Sequence, residues 1–213
     1  MVPHMCRDSA TLTLAQWLSP AFPVGAFAYS TGLERAVADG LVSPETLEDW
    51  LLDMLDHGTG RSEALLIRAA AQDDPAAVDA EARAFCASRE RLAETKALGS
   101  AFCAQLRTWG IDVADLTYPV AFGHAVGVQG YPIDLAIALY LQAWVSNAVA
   151  CAQRLMPLGQ TEGQRIVAAL TPVAQRIAQE SAGTTLDDLT SQTMAADIAA
   201  MRHETQEPRI FRT

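Results

Sequence analysis

Histidine and cysteine side chains are the residues of this 213-residue chain that could bind a transition metal. Imidazole and thiolate are preferred ligands of such ions, and a dedicated site brings several of them together. The nearest pair in sequence is His4-x-Cys6, whereas His57, His124 and His203 lie far apart. A helical metal carrier that uses His4, Cys6, His57 or His203 therefore stays open, but the spacing favours weak adventitious binding at His4 and Cys6.

Nucleophilic and phosphate-binding motifs are the next chemistry to consider. The sequence has no Gly-x-Ser-x-Gly turn and no glycine-rich loop followed by Lys-Ser or Lys-Thr. Gly123-His124-Ala125-Val126-Gly127 has spaced glycines without a lysine, which indicates a loosened helix or a tight packing contact. Paired acids at 73–74 and 187–188 stand beside predicted helix starts, where they favour the positive end of the dipole. We therefore predict a protein that is not an enzyme.

The last dozen residues form a short basic and aromatic segment after an acidic, alanine-rich body. Pro208 lacks a backbone donor and disfavours helix at the residue before it. Two interpretations remain open, a frayed terminus or a peptide that becomes ordered on a partner. In the second interpretation Phe211 is the anchor and the arginines pair with carboxylates.

The composition limits the class of partner. Acidic residues number 25 against 15 basic ones, the formal net charge is −10, and Lys96 is the single lysine. A nucleic-acid partner is therefore not expected. The four cysteines are scattered without a Cys-x-x-Cys pair, and no signal peptide is visible at the start of the sequence. These features predict reduced thiols and a cytoplasmic location.

Helix signals recur along the sequence and position these residues. Ser43-Pro44 and Asp74-Pro75 are helix starts, and His57-Gly58 is a helix end. We expect the helix after Asp74 to break near Gly99, and Thr161-x-x-Gln164 to be a capping box. No segment alternates with period two, so no strand is predicted. The sequence predicts an all-α, single-domain bundle of roughly eight to ten helices.

One segment, 133–152, is long and apolar enough to cross a membrane. It also contains four polar residues and one strongly apolar face, with alanines around the rest. This pattern favours a long buried central helix over a membrane span.

A loop rich in proline and glycine, 18–34, carries Phe22, Phe27 and Tyr29. Its aromatic side chains could fill the core of the bundle or bind a partner, and Glu34 opens the helix that follows. The run SPAFPVGAFAYSTGLERAVADGLV resembles the amino-terminal signature of the UreF family of urease accessory proteins. The ending MRHETQEPRIFRT is similar to the carboxy-terminal motif of that family, and ETKALGSAF, PVAFGHAVG and LQAWVSNAVACAQRLMPLGQTEGQR match in order between them.

This resemblance implies an all-α, non-catalytic chaperone of nickel insertion. Family members bridge UreD and the GTPase UreG in a complex that docks on apo-urease, and they dimerise through helices. Nickel and GTP are handled by the complex, with GTP bound by UreG, so no cofactor is expected here. The implied organisation is a flexible N-terminus at 1–10, a helical domain at 11–200 and a partner-ordered tail at 201–213. The metal-carrier alternative becomes a nickel carrier in this context.

The resemblance also implies residues for partner contact. Glu34, in the Gly-Leu-Glu motif, matches a contact with the GTPase. Six residues of the ending match the surface that faces UreD: Arg202, His203, Glu204, Arg209, Phe211 and Arg212. Arg154, after the central helix, is a further candidate for partner binding. Ala26 replaces a glycine usual in the family, and Glu207-Pro208 replaces Tyr-Ser, which changes the local path of the tail.

Overall fold

The structure is a computed structural model that describes residues 7–213. These residues form ten α-helices and no strand, which confirms the predicted all-α fold. The helices are α1 (Arg7–Trp17), α2 (Leu33–Ala38), α3 (Leu47–His57), α4 (Thr59–Gln72), α5 (Pro75–Ala84), α6 (Arg89–Thr108), α7 (Tyr118–Gln129), α8 (Ile133–Leu155), α9 (Gln160–Glu180) and α10 (Met194–His203). Three short 3₁₀ turns lie at Ala26–Ala28, Ser181–Gly183 and Leu186–Asp188.

The predicted central helix is α8, which extends three residues beyond the predicted end, to Leu155. It packs along α9 and also contacts α2, α4 and α7. Ile137, Tyr140, Leu141 and Val145 are buried on one face, as their spacing predicts. By length and composition α8 could cross a membrane, but half of its most apolar window is buried within this fold. A core helix has these properties.

Two glycines of α7 allow α4 to approach it closely. A β-carbon built at Gly123 would lie 2.2 Å from the carbonyl oxygen of Ile67, and one at Gly127 would lie 2.4 Å from that of Ala71. Because any side chain at either position would collide with backbone, the spacing of these glycines marks a tight packing contact. Of the two interpretations of this motif, the structure selects the packing contact.

Several predicted helix boundaries are confirmed and others are wrong. Asp74 caps α5 by accepting a hydrogen bond from the amide of Ala76, at 3.2 Å. The expected break near Gly99 is wrong, because the chain leaves the helix at residues 85–88 and Ser88 caps α6. Gly99 instead lies inside α6, where its missing side chain admits the backbone of residues 116–117.

Two other helix starts differ from the prediction. The expected capping box at Thr161 is wrong, since α9 begins at Gln160 after Gly159 and has no side-chain cap. The Ser43-Pro44 signal precedes a turn, and α3 itself begins at Leu47. The proposed flexible N-terminus lies mostly outside the described residues, and α1 begins at Arg7, ahead of the predicted domain boundary.

Candidate functional site

The tail lies along the loop that precedes α2. After α10 ends at His203, the chain turns and its final residues pair with the backbone of residues 28–30. The amide of Arg212 donates to the carbonyl of Ala28 at 2.8 Å, and the amide of Ser30 donates to the carbonyl of Thr213 at 2.9 Å. The two ends of the sequence that carry the family resemblance therefore form one structural unit.

Glu34 holds this unit together from the first turn of α2. Its carboxylate is buried, and its two oxygens accept hydrogen bonds from the amides of Ile210 at 2.7 Å and Phe211 at 2.9 Å. Gly32, just before α2, allows α10 to approach, because a β-carbon there would lie 2.8 Å from the amide nitrogen of Ala200. Glu34 thus binds the tail in the way a capping carboxylate binds a helix start.

His203 completes the polar centre of the site and has no exposed surface. Its Nε2 lies 3.2 Å from the carboxylate of Glu34, and its Nδ1 lies 2.7 Å from that of Glu90. The second oxygen of Glu90 accepts a hydrogen bond from Arg209 at 2.6 Å. With both ring nitrogens protonated the imidazole donates to both carboxylates, and the group of two acids and two bases is then charge-balanced.

Phe211 is the apolar centre of the site, with 2% of its surface exposed. The guanidinium carbon of Arg154 lies 4.2 Å from the centroid of its ring, within the range of a cation–π contact. Arg154 also donates a hydrogen bond to the carbonyl of Phe27 at 2.9 Å. Arg154, from the end of α8, is thereby brought to the same site as the tail residues.

The remaining predicted residues of the tail differ in exposure. Arg202, Arg209 and Arg212 are exposed, whereas Glu204 is half-buried and binds both the amide and the guanidinium of Arg89, at 2.8 Å each. Arg202 has a weak intramolecular partner, since its guanidinium nitrogen is 3.5 Å from Asp39. The side chain of Arg212 lies over the ring of Tyr29, 5.7 Å from its centroid.

All eight predicted residues therefore lie on the tail or contact it directly, and they divide into two groups. Glu34, His203 and Phe211 are covered by their own chain, which differs from the expectation of surface contacts. The reason is that Phe211 removes its apolar ring from water when the tail docks, and the buried carboxylate of Glu34 needs the tail amides and His203 as hydrogen-bond partners. Partner binding by this site stays a prediction, and the side chains available for it are the exposed arginines.

Sequence reasoning missed two carboxylates that complete the site, Glu90 and Glu94. Glu94 accepts a hydrogen bond from the hydroxyl of Thr213 at 2.8 Å and another from Thr31 at 3.2 Å. Their spacing of four residues, two and six residues after the Ser88 cap, places both on one face of α6. This spacing was the sequence signal for the two carboxylates, although carboxylates four residues apart are also typical of a solvated helix face.

The aromatic residues of the loop divide in the same way. Phe22 and Tyr29 are buried, whereas Phe27 is 69% exposed beside the tail. Both interpretations of this loop therefore describe part of it. Two of its rings fill the core, and the third remains on the surface.

The potential metal ligands and the buried Cys151 are the remaining reactive groups among the described residues. Within residues 7–213 no three His, Cys, Asp or Glu side chains are grouped to hold a metal ion. His57 is exposed at the end of α3, both ring nitrogens of His203 face carboxylates, and His4 and Cys6 lie outside the described residues. Burial raises the pKa of the Cys151 thiol to about 12, so it is protonated at neutral pH and a poor nucleophile.

Comparison with known proteins assigns the chain to a family. A family model described as UreF matches residues 41–171, more than half of the chain. The chain belongs to the UreF family of urease accessory proteins. A relative named urease accessory protein UreF from Ruegeria pomeroyi is 49% identical over 212 residues, covering 97% of this chain and 98% of the relative.

Other UreF proteins give the same result. The protein from Roseobacter denitrificans is 48% identical over 209 residues, covering 96% of this chain and 94% of its own length. The protein from Rhizobium etli is 41% identical over 215 residues, covering 96% of each chain. The family resemblance on which the site prediction depends is thereby confirmed, and membership of an accessory family agrees with the prediction of a protein that is not an enzyme.

Proposed function

We propose that this UreF chain is a cytoplasmic, non-catalytic scaffold that holds UreD and the GTPase UreG together on apo-urease. In this proposal the complex couples GTP hydrolysis by UreG to nickel insertion, and the chain itself contributes binding surfaces. The observation that carries the proposal is the docked tail. Its buried residues fix the backbone, and three arginines are left exposed on it.

The exposed surface of the tail has the composition of a protein interface. Arg202, Arg209 and Arg212 carry positive charge on a chain whose net charge is −10. Ile210 is 61% exposed between two of these arginines, and the exposed Phe27 precedes Ala28, whose carbonyl binds the amide of Arg212. Arginine and aromatic side chains are enriched where proteins bind one another, and exposed apolar residues among them strengthen the case. We assign this surface to UreD.

For Glu34 we propose a different role from the one implied by the resemblance. Its two carboxylate oxygens are occupied by the amides of Ile210 and Phe211, so a direct contact with UreG would have to break those bonds. We propose that Glu34 acts on partner binding through the tail. It fixes the backbone that presents the arginines, which reduces the ordering cost of association.

A homodimer is part of the same proposal. On α10, Met194, Ile198 and Met201 are exposed at spacings of four and three residues, which places them on one face of the helix. An exposed apolar stripe of this kind suits a protein contact. Light scattering on the purified chain measures its mass directly, and a monomer at high concentration would contradict the dimer.

The test of the scaffold is charge reversal on the tail. Arg202→Glu with Arg212→Glu changes two exposed side chains and leaves Glu34, His203 and Phe211 in place. The tagged double variant is co-expressed with UreD and UreG and purified by its tag. It is expected to recover at least about tenfold less UreD than the unmodified chain does, since charged interface pairs contribute several kcal/mol.

The matched control reverses the charge of two exposed arginines of α9, Arg165 and Arg176, which form salt bridges with acidic residues of α3. This control is expected to retain UreD at the level of the unmodified chain. Equal recovery of UreD with the tail variant and with the control would contradict the assignment of the tail surface.

A further inference from the structure

A cavity opens beside the docked tail, between the loop at 18–31 and helices α6 and α8, and it shares Glu94 with the tail site. Its volume is about 600 Å³, within the range of pockets that bind small ligands. Trp17, Phe22, Leu98, Leu139 and Trp144 form much of its wall. The wall is therefore mainly apolar and aromatic, which suits the uncharged body of an organic molecule.

The polar end of this cavity contains a buried group of three charges. Glu63 from α4 and Glu94 and Arg91 from α6 all line it, and no other charged residue does so among the described residues. Arg91 donates to Glu94 at 2.7 Å and also to Glu63. The side chains of Glu63 and Glu94 are 8% and 5% exposed.

The charges of this group do not balance. Two carboxylates and one guanidinium leave one negative charge in excess when both acids are ionised. Burial, which disfavours the ionised form, raises the pKa of Glu63, although the charge of Arg91 opposes the change. A buried excess charge of this kind costs free energy, and either protonation of Glu63 or the approach of a further cation relieves that cost.

The sign of the excess charge selects the class of ligand. An anion would add a third negative charge beside Arg91, whose two terminal nitrogens already donate to carboxylates. A neutral ligand would leave the excess uncompensated. A cation with an apolar body would compensate it and also fill the aromatic wall, where a positive charge is further stabilised by ring faces.

We propose that this cavity binds a small organic monocation, an ammonium or guanidinium group on an aromatic body. The charged group lies against Glu63 and Glu94, and the aromatic body lies along the apolar wall. Neither the metal chemistry of urease maturation nor the binding of UreD and UreG is needed for this binding, so the two proposals are tested separately.

The test uses three probes of similar size with different charge. Phenethylamine carries a positive charge at neutral pH, phenethyl alcohol is neutral, and 3-phenylpropionate is negative. Titration calorimetry on the full chain is expected to show saturable binding of phenethylamine and at least about tenfold weaker binding of the other two, since a hydrogen bond to a charged group exceeds 1.4 kcal/mol. Equal affinity for the amine and the alcohol, or no saturable binding, would overturn the proposal.

Two variants locate the binding. Glu63→Gln keeps the shape of the side chain and removes the excess charge, and it is expected to weaken phenethylamine at least about tenfold. Ala143→Phe adds bulk to a residue that lines the cavity and leaves its three charges unchanged, so it is expected to abolish binding. Glu162→Gln, at an exposed salt bridge of α9, is the matched control and is expected to bind as the unmodified chain does. Unchanged affinity in both cavity variants would place the amine elsewhere and contradict the proposal.

Discussion

Substitution of Glu34 by alanine is the perturbation that tests the architecture of the tail most sharply. The change removes the acceptor of two backbone amides, at 2.7 and 2.9 Å, and one carboxylate partner of His203. Hydrogen bonds to charged groups contribute about 1.5–3 kcal/mol each. Release of the tail lets its amides bind water, which offsets part of this loss, so we expect docking to weaken by about 3 kcal/mol.

A loss of this size reduces the docking equilibrium about 100-fold, since 1.4 kcal/mol corresponds to a factor of ten. Amide hydrogen exchange measures it residue by residue. The amides of Ile210 and Phe211 are expected to exchange about 100-fold faster in Glu34→Ala, while amides in α8 keep their protection. The helical body is then intact, and the tail alone has been released.

The matched control is Glu204→Ala, which removes a half-buried carboxylate that binds the amide and the guanidinium of Arg89. Because Glu34 still accepts from the amides of Ile210 and Phe211 in this variant, their exchange is expected to change less than about fivefold, which corresponds to about 1 kcal/mol. If Glu34→Ala and Glu204→Ala accelerated tail exchange equally, Glu34 would not be the residue that holds the tail.

Three further predictions concern packing, titration and metal binding. Gly123→Ala places a β-carbon against the carbonyl of Ile67 and is expected to lower the free energy of unfolding by about 1–3 kcal/mol in urea denaturation. Gly183 has open space around it, so Gly183→Ala is expected to change the free energy of unfolding by less than about 1 kcal/mol. Equal effects of the two substitutions would contradict the tight contact between α4 and α7. Burial raises the pKa of Glu63 above its ordinary value of 4.5, so the folded chain holds the proton of Glu63 to a higher pH than the unfolded chain does. The contribution of Glu63 to stability is therefore fully present below pH 4.5 and is lost as the pH rises through the raised pKa. The free energy of unfolding of the unmodified chain minus that of Glu63→Gln is expected to fall by up to about 1.4 kcal/mol per pH unit in that window, and a rise would contradict the direction of the shift. Equilibrium dialysis is expected to show weak nickel binding, unchanged by His203→Ala, whereas a tight stoichiometric site lost in that variant would favour the nickel carrier.

Much of the helical body could be predicted from local signals. Asp74 caps a helix, and the apolar face of α8 is buried, because both depend on neighbours within a few turns. The predicted break near Gly99 was wrong because, from the local sequence alone, a glycine in a helical segment indicates a helix break. Its actual neighbour, the backbone of residues 116–117, is not visible from local sequence.

The candidate site required both the resemblance and the structure. Similarity to UreF selected eight residues, and the structure brings them together. Burial of Phe211 and the pairing of Glu34 with Ile210 connect positions more than 170 residues apart, so no spacing rule could reveal them. Glu90 was missed for the same reason, since its partners His203 and Arg209 lie at the other end of the chain.

Co-purification of UreD with a chain that lacks residues 204–213 tests the scaffold most directly. This deletion keeps α10 and His203 and removes Arg209, Phe211 and Arg212. We expect the shortened chain to stay helical by circular dichroism and to retain no UreD, while the full chain retains it in stoichiometric amount. Recovery of UreD at the full level by the shortened, folded chain would contradict the role of the tail as the surface that binds UreD.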